Sequence, residues 1–319
     1  MRISGDGITV DCEPDAGFVI TAITDLLTGA EALWRRAGFV PAAFQRSLGP
    51  SGDASIESFG DLFVGGWFEM FPSAAFPGTV DGPGAPSRSM QHGEVMRLPW
   101  GVVDRSDRHV EATVVTVRTP FRLTRRLELV GRELVVSERV RNIGAWPAPY
   151  VWGHHPCFSR ETFAGGRFEL DVASAHVPGP VLDPANSVLR PAARFTFPQA
   201  PMVDGGVRDL ARIPDQADGR QELVAVELRS GRLRITAPRH GRALVVAWDV
   251  RDLPYALLWQ CYLAPGAAWW GTCDAFAIEP TSAPGPSLDD AVAAGAVKYL
   301  DPGGEATLTL RVAWEALNG

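Results

Sequence analysis

The sequence predicts an all-β fold, a large antiparallel β-sandwich with few short helices, and three observations predict it. The dominant apolar period is two: across 122–140, Leu123, Leu127, Leu129, Leu134 and Val136 alternate with charged residues. Similar runs recur at 110–117, 223–228, 233–237, 243–249, 257–262, 276–279 and 306–314. Finally, 26 prolines and 33 glycines are spread along the whole chain, which suits long ordered loops between many strands.

Each element has a local cause. Gly131-Arg132 interrupts the longest alternating run and reads as a hairpin turn. Asn142-Ile143-Gly144 and Asp301-Pro302-Gly303-Gly304 carry turn residues between later strands. Helical signal is confined to 287–296, where Ser287 can cap a short helix with Asp289 and Asp290 in its first turn. No repeat of fixed period and no low-complexity tract divides the chain, so the 319 residues are read as one domain, 1–319, with loops 50–105 and 175–220 supplying the site.

Composition removes several function classes. A net charge of −7 without any basic run disfavours a nucleic-acid backbone as partner. Lys298 is the only lysine, so Schiff-base chemistry would have to use a residue near the C-terminus. Cys12, Cys157, Cys261 and Cys273 lack CxxC spacing and read as reduced, mostly buried thiols. The first residues carry no apolar signal core and no run reaches membrane-spanning length, so a cytoplasmic protein without membrane contact is expected.

Four segments place polar or aromatic groups beside glycine or proline at strand ends. They are Gly65-Gly66-Trp67-Phe68-Glu69-Met70-Phe71-Pro72, Gln91-His92-Gly93-Glu94, Trp152-Gly153-His154-His155-Pro156-Cys157-Phe158 and Ala277-Ile278-Glu279-Pro280-Thr281. Together they offer imidazoles, a carboxylate leaving an apolar strand, and tryptophan faces suited to the C–H face of a sugar ring. Adjacent histidines on extended backbone point to opposite faces, so one of His154 and His155 can address a given pocket and the other is structural. The same divergence argues against a metal set built from His92, His154 and His155.

The order of these motifs, with Arg125-Arg126-Leu127-Glu128-Leu129 between them and a closing run from Leu300-Asp301-Pro302-Gly303-Gly304 to Val312, resembles the aldose 1-epimerase (galactose mutarotase-like) superfamily over about 60–314. It looks closest to a divergent bacterial branch with GGWFEMFP and HHP signatures. The resemblance implies the galactose mutarotase-like supersandwich and an isomerase of carbohydrate metabolism that interconverts the α and β anomers of a hexose or hexose derivative through ring opening. It implies Glu279 as general base, His155 as general acid on the ring oxygen, and His92 as a substrate-binding partner, with His154 the alternative one residue away. No cofactor and no metal are implied; the partner is a small-molecule sugar, and the chain is expected as monomer or homodimer.

Two family features are missing or displaced. Ser73-Ala74-Ala75 follows Pro72 where an arginine is expected, with Arg88 and Arg97 as candidate substitutes that would suit an acidic or sulfonated sugar. Asp209 is the stand-in for an aspartate that binds sugar hydroxyls after the central histidine. Trp259 and Gln260 are read as pocket lining, whereas Trp67 and Glu69 serve either the pocket or the core. Trp269-Trp270 reads as a core plug, and His109, His176 and His240 as structural or solvated. Glu279 could instead be an ion-paired carboxylate at a sheet edge. A non-catalytic carbohydrate-binding or regulatory protein on the same fold is the alternative function, and a hydrolase would need a second carboxyl beside Glu279.

Overall fold

The computed structural model describes residues 1–38, 63–74, 76–80, 87–88, 90–266 and 270–317, with Val80, Ser87 and Arg88 described by backbone alone. Three strands open the chain, β1 (Arg2–Ser4), β2 (Ile8–Glu13) and β3 (Val19–Asp25), followed by β4 (Trp67–Met70) and the ribbon of β5 (Thr79–Val80) and β6 (Ser87–Arg88). A meander then runs through β7 (Gly101–Arg105), β8 (His109–Val115), β9 (Phe121–Val130) and β10 (Glu133–Asn142). Short β11 (Ala148–Tyr150) leads to β12 (Gly153–Ser159). The second half comprises β13 (Phe168–His176), β14 (Arg194–Phe195), β15 (Gln199–Pro201), β16 (Val207–Asp209), β17 (Gln221–Ala237), β18 (Arg242–Trp248), β19 (Tyr255–Tyr262), β20 (Asp274–Thr281), β21 (Lys298–Leu300) and β22 (Glu305–Ala316). Two short α-helices occur among the described residues, α1 (Arg160–Phe163) and α2 (Leu288–Ala293).

The main sheet follows the order β1-β2-β3-β4-β12-β20-β19-β17-β18-β22-β10-β9-β8-β7, with its neighbouring strands antiparallel. Its two halves fold over one another. β17 makes the passage: Gln221–Glu227 pairs with β19, and 232–237 pairs with β18. The expected break between 228 and 233 is therefore one continuous strand. Gly231 there is a close approach rather than a turn, since a Cβ on it would lie 2.1 Å from the Trp248 carbonyl oxygen.

The turn at Gly131-Arg132 joins β9 to β10 in register, with Glu133 opposite Val130. Leu123, Leu127, Leu129, Leu134 and Val136 all face the interior, as the alternation requires. Helix α2 starts where its cap predicts: Ser287 Oγ accepts from Asp290 N at 3.1 Å, and Asp290 Oδ2 accepts from Ser287 N at 3.1 Å. It ends sooner than the expected 296. The 50–105 and 175–220 regions are not pure loops, since β4 to β7 and β14 to β16 lie in them; 50–62, 75, 81–86, 89 and Trp269 lie outside the described residues.

Between the two halves lies the larger apolar cluster, where Phe71 meets Phe121 edge-on at 5.0 Å and Phe163 stacks on Trp314 at 5.9 Å. Each such ring contributes roughly 1.5–3 kcal/mol by leaving water. A second cluster, containing Phe63, Phe68, Met70, Cys157, Leu257 and Trp259, lies on the opposite face of β4, β12, β20 and β19. That face carries the candidate site.

Candidate active site

Strand register alone brings the central pair together. β12 and β20 pair with Gly153 opposite Thr281 and Cys157 opposite Ala277, which sets His155 opposite Glu279. On the other side of β12, His155 pairs with Phe68, while Glu279 pairs with Leu257 of β19. One row across four neighbouring strands thus reads Phe68, His155, Glu279, Leu257. His155 Nε2 lies 3.3 Å from Glu279 Oε1.

Aromatic rings enclose this pair. Phe68 stacks on the His155 ring at 4.7 Å and 19°, while Phe63 and Trp259 approach it at 5.8 and 5.9 Å. His92 stands edge-on to His155 at 5.2 Å. It is carried on a tight turn in which His92 has φ 56° and Gly93 φ 76°. A Cβ at Gly93 would lie 2.1 Å from the Phe71 carbonyl oxygen, so glycine is required there. Glu94, next in sequence, is committed to structure: its carboxylate accepts from Val117 N, Arg118 N and Thr119 Oγ1, each at 2.8 Å.

Such enclosure disfavours charge on both partners. Burial pushes the Glu279 carboxyl well above its ordinary range and brings His155 down to about 3. His92 is lowered by burial first, then by the neighbouring His155 and Arg97 charges. A carboxyl that keeps its proton beside an imidazole that refuses one can exchange that proton across 3.3 Å. Such an arrangement is chemically suited to acid–base work on a neutral molecule.

The structure divides the remaining sequence candidates between two faces. Trp259 lies on the pocket face, and Gln221 beside it accepts from Trp259 Nε1 at 3.2 Å when its amide nitrogen is turned to Asp183 Oδ2 at 3.1 Å. His154, Trp67 and Glu69 point the other way, into the sandwich, because they alternate with His155 and Phe68 along their strands. There Trp67 Nε1 donates to His154 Nδ1 at 3.3 Å, and His154 Nε2 lies 3.0 Å from Glu138, which also pairs with Arg125 at 2.9 Å. Glu69 accepts from Trp152 Nε1 at 2.7 Å. All three are buried in the core between the two halves, on the face away from His155 and Glu279.

Gln260 is corrected for the same reason: it alternates with Trp259, faces the interior and donates to the Leu210 carbonyl at 2.8 Å. Asp209 is also displaced, since it accepts from Ala211 N at 3.0 Å and lies 3.7 Å from Arg167. Asp183 is an aspartate tied to Trp259 through that Gln221 amide. Its signal was available as Asp183-Pro184-Ala185-Asn186, an Asx-type turn in which Asp183 accepts from Ala185 N and Asn186 Nδ2. Phe63, Phe68 and Cys157 are further pocket-face residues that the sequence reading did not single out. Arg97 is half-buried and close enough for its charge to act on His92, whereas the Arg88 side chain lies outside the described residues.

The fold has close structural counterparts. A protein of Escherichia coli K12 provisionally assigned as an aldose 1-epimerase superposes with a TM-score of 0.69 at 18% identity, covering 99% of this chain and 98% of that one. A galactose mutarotase related enzyme from Lactobacillus acidophilus matches at 0.66 and 16%, covering 100% and 98%. A galactose mutarotase-like protein from Lactobacillus casei matches at 0.65 and 17%, covering 99% of each. Most of the structural neighbours are aldose 1-epimerase or galactose mutarotase-like proteins, and the chain has the galactose mutarotase-like fold. No family model and no curated protein matches the sequence. Among the described residues, no helix is long and apolar enough to cross a membrane.

Proposed function

We propose that this protein is an aldose 1-epimerase-type isomerase that interconverts the anomers of a hexose or hexose derivative, with Glu279 and His155 as its proton-transfer pair. The observation that carries this reading is the 3.3 Å contact between His155 Nε2 and Glu279 Oε1, both buried among aromatic rings. Anomer exchange needs one proton removed from the C1 hydroxyl while another is delivered to the ring oxygen. As the C1–O5 bond breaks, the O1–H electron pair forms the aldehyde carbonyl and O5 keeps the bonding pair with its new proton. Rotation about C1–C2 and reclosure on the other face then return both protons.

Substrate hydroxyls entering the pocket would solvate the Glu279 carboxylate and let its proton pass to His155. The resulting carboxylate and imidazolium form the base and acid that the reaction needs. General acid–base groups of this kind contribute about 10²–10⁴-fold each. In this reading His92 holds a sugar hydroxyl near the pair, Trp259 covers a ring face, and Asp183 accepts further hydroxyls.

The test is anomer exchange followed by NMR on neutral, acidic, phosphorylated and sulfonated hexoses. Acceleration over buffer for one class supports the reading and names that class. Binding shifts without acceleration for any sugar would favour the non-catalytic carbohydrate-binding alternative.

A further inference from the structure

We infer that Cys157 is a positioning residue for His155: its sulfur receives the Nδ1–H of the imidazole and leaves Nε2 as the nitrogen that exchanges a proton with Glu279 and the substrate. The inference rests on the proton-transfer role proposed above for His155, and it deepens that role. Cys157 follows His155 by two residues on β12, so both side chains project from the same face of the strand. Cys157 Sγ lies 3.2 Å from His155 Nδ1, and both residues are buried.

Which group carries the proton follows from what surrounds each nitrogen. Nδ1 faces the sulfur at 3.2 Å, and the same thiol donates its S–H toward the His155 carbonyl oxygen, 3.9 Å away. With its hydrogen turned to that carbonyl, the sulfur presents a lone pair to the ring, so this side is built for an Nδ1–H. Nε2 faces Glu279 Oε1 at 3.3 Å, and burial favours a protonated Glu279. A carboxyl O–H needs a lone pair opposite it, which Nε2 supplies when Nδ1 holds the imidazole's proton. The two ends of the ring therefore agree on one tautomer.

A proton-transfer histidine must alternate between lone pair and N–H at one nitrogen while the other stays protonated, and that second proton needs an acceptor throughout. Here the acceptor is a thiol, which burial and then the Glu279 charge hold well above the ordinary thiol range, so it remains an S–H. Thiol sulfur is a weak acceptor and stabilises an imidazolium less than an oxygen would. Cys157 thus fixes the orientation of His155 without holding it in the charged state. Cys261 and Cys273, hydrogen-bonded to one another, share this apolar cluster, but Cys157 is the thiol against the ring.

The experiment is nitrogen-15 NMR of histidine-labelled full-length protein, with His155 assigned by its loss in His155→Asn. The wild type should show a protonated Nδ1 and an unprotonated Nε2. Cys157→Ser, close in size and a stronger acceptor, should keep that tautomer and move the His155 titration upward by up to about one pH unit. Cys157→Ala should shift the population toward the Nε2–H form and lower kcat for anomer exchange with little change in KM. Cys261→Ser, which leaves the ring contact intact, should change neither. A wild-type ring protonated at Nε2, or spectra and titration unchanged in both Cys157 variants, would overturn the inference. If the nitrogen spectra follow the thiol as described while no sugar is turned over, the positioning contact stands and the isomerase reading falls.

Discussion

His155 and Glu279 face each other from neighbouring antiparallel strands with Nε2 3.3 Å from Oε1, and neither has a reason to be charged where it sits. Strand register sets the distance, and the Phe63, Phe68 and Trp259 rings set the medium. A pair held this way keeps its proton between the partners.

The aromatic shell should control the histidine's basicity. Phe68→Leu removes the ring stacked on His155 and admits water, so the His155 pKa should rise from about 3 toward its ordinary value of 6.5. An NMR titration reads the shift directly. The same substitution should cost about 1–3 kcal/mol in urea unfolding, the usual range for a core change.

Stability should peak on the acid side of neutrality. Burial, with the neighbouring Glu138 charge second, raises Glu69 from 4.5 to about 8, and burial raises Glu138 to about 7. The folded chain keeps these protons while the unfolded chain releases them near pH 4.5, so their contribution is complete below 4.5 and is lost as pH rises to about 8. His154 and His155 have the opposite effect: below pH 6.5 the unfolded chain takes up protons that the folded chain refuses down to about 3. The thermal midpoint should therefore be highest between pH 4.5 and 6.5 and decline from 6.5 to 8. A midpoint still climbing across that upper interval would contradict the assignment.

Glu138 should be a stability residue without being a substrate ligand. It pairs with the fully buried Arg125 at 2.9 Å and lies 3.0 Å from His154. Above pH 7, where Glu138 carries its charge, Glu138→Ala leaves that guanidinium without its buried counter-charge, at a cost of about 3–5 kcal/mol. Chemical denaturation measures it, and a loss below about 1 kcal/mol would show that the cross-sandwich network carries little.

The His92 turn should tolerate no side chain after it. Gly93→Ala combines a left-handed backbone with a Cβ 2.1 Å from the Phe71 carbonyl, and should cost at least about 1–3 kcal/mol. Sugar affinity should fall with it, because the displaced turn carries His92. Isothermal titration with the best sugar of the panel reads this.

Much of this arrangement was legible in the chain because strands write their faces with period two. The alternation through Leu123, Leu127, Leu129, Leu134 and Val136 gave the β9–β10 hairpin, and the divergence of adjacent histidines separated His155 from His154. The same rule, applied to Trp67-Phe68-Glu69 and Trp259-Gln260, would have assigned Phe68 and Trp259 to one face and Trp67, Glu69 and Gln260 to the other. What remained hidden were relations between distant segments. Nothing local ties Asp183 to Trp259, because that contact passes through Gln221 on another strand. Gly231 looks like a turn until Trp248 is packed against it, and the three N-terminal strands carry no chemistry to attract notice.

The most direct test of the central claim is anomer-exchange NMR on the sugar that the wild type turns over fastest, repeated with Glu279→Gln and His155→Ala after circular dichroism shows both variants folded. Each substitution should lower exchange by about 10²-fold or more, and the double variant should be little worse than either single one because base and acid act as one unit. Exchange at the wild-type rate in either variant would contradict it.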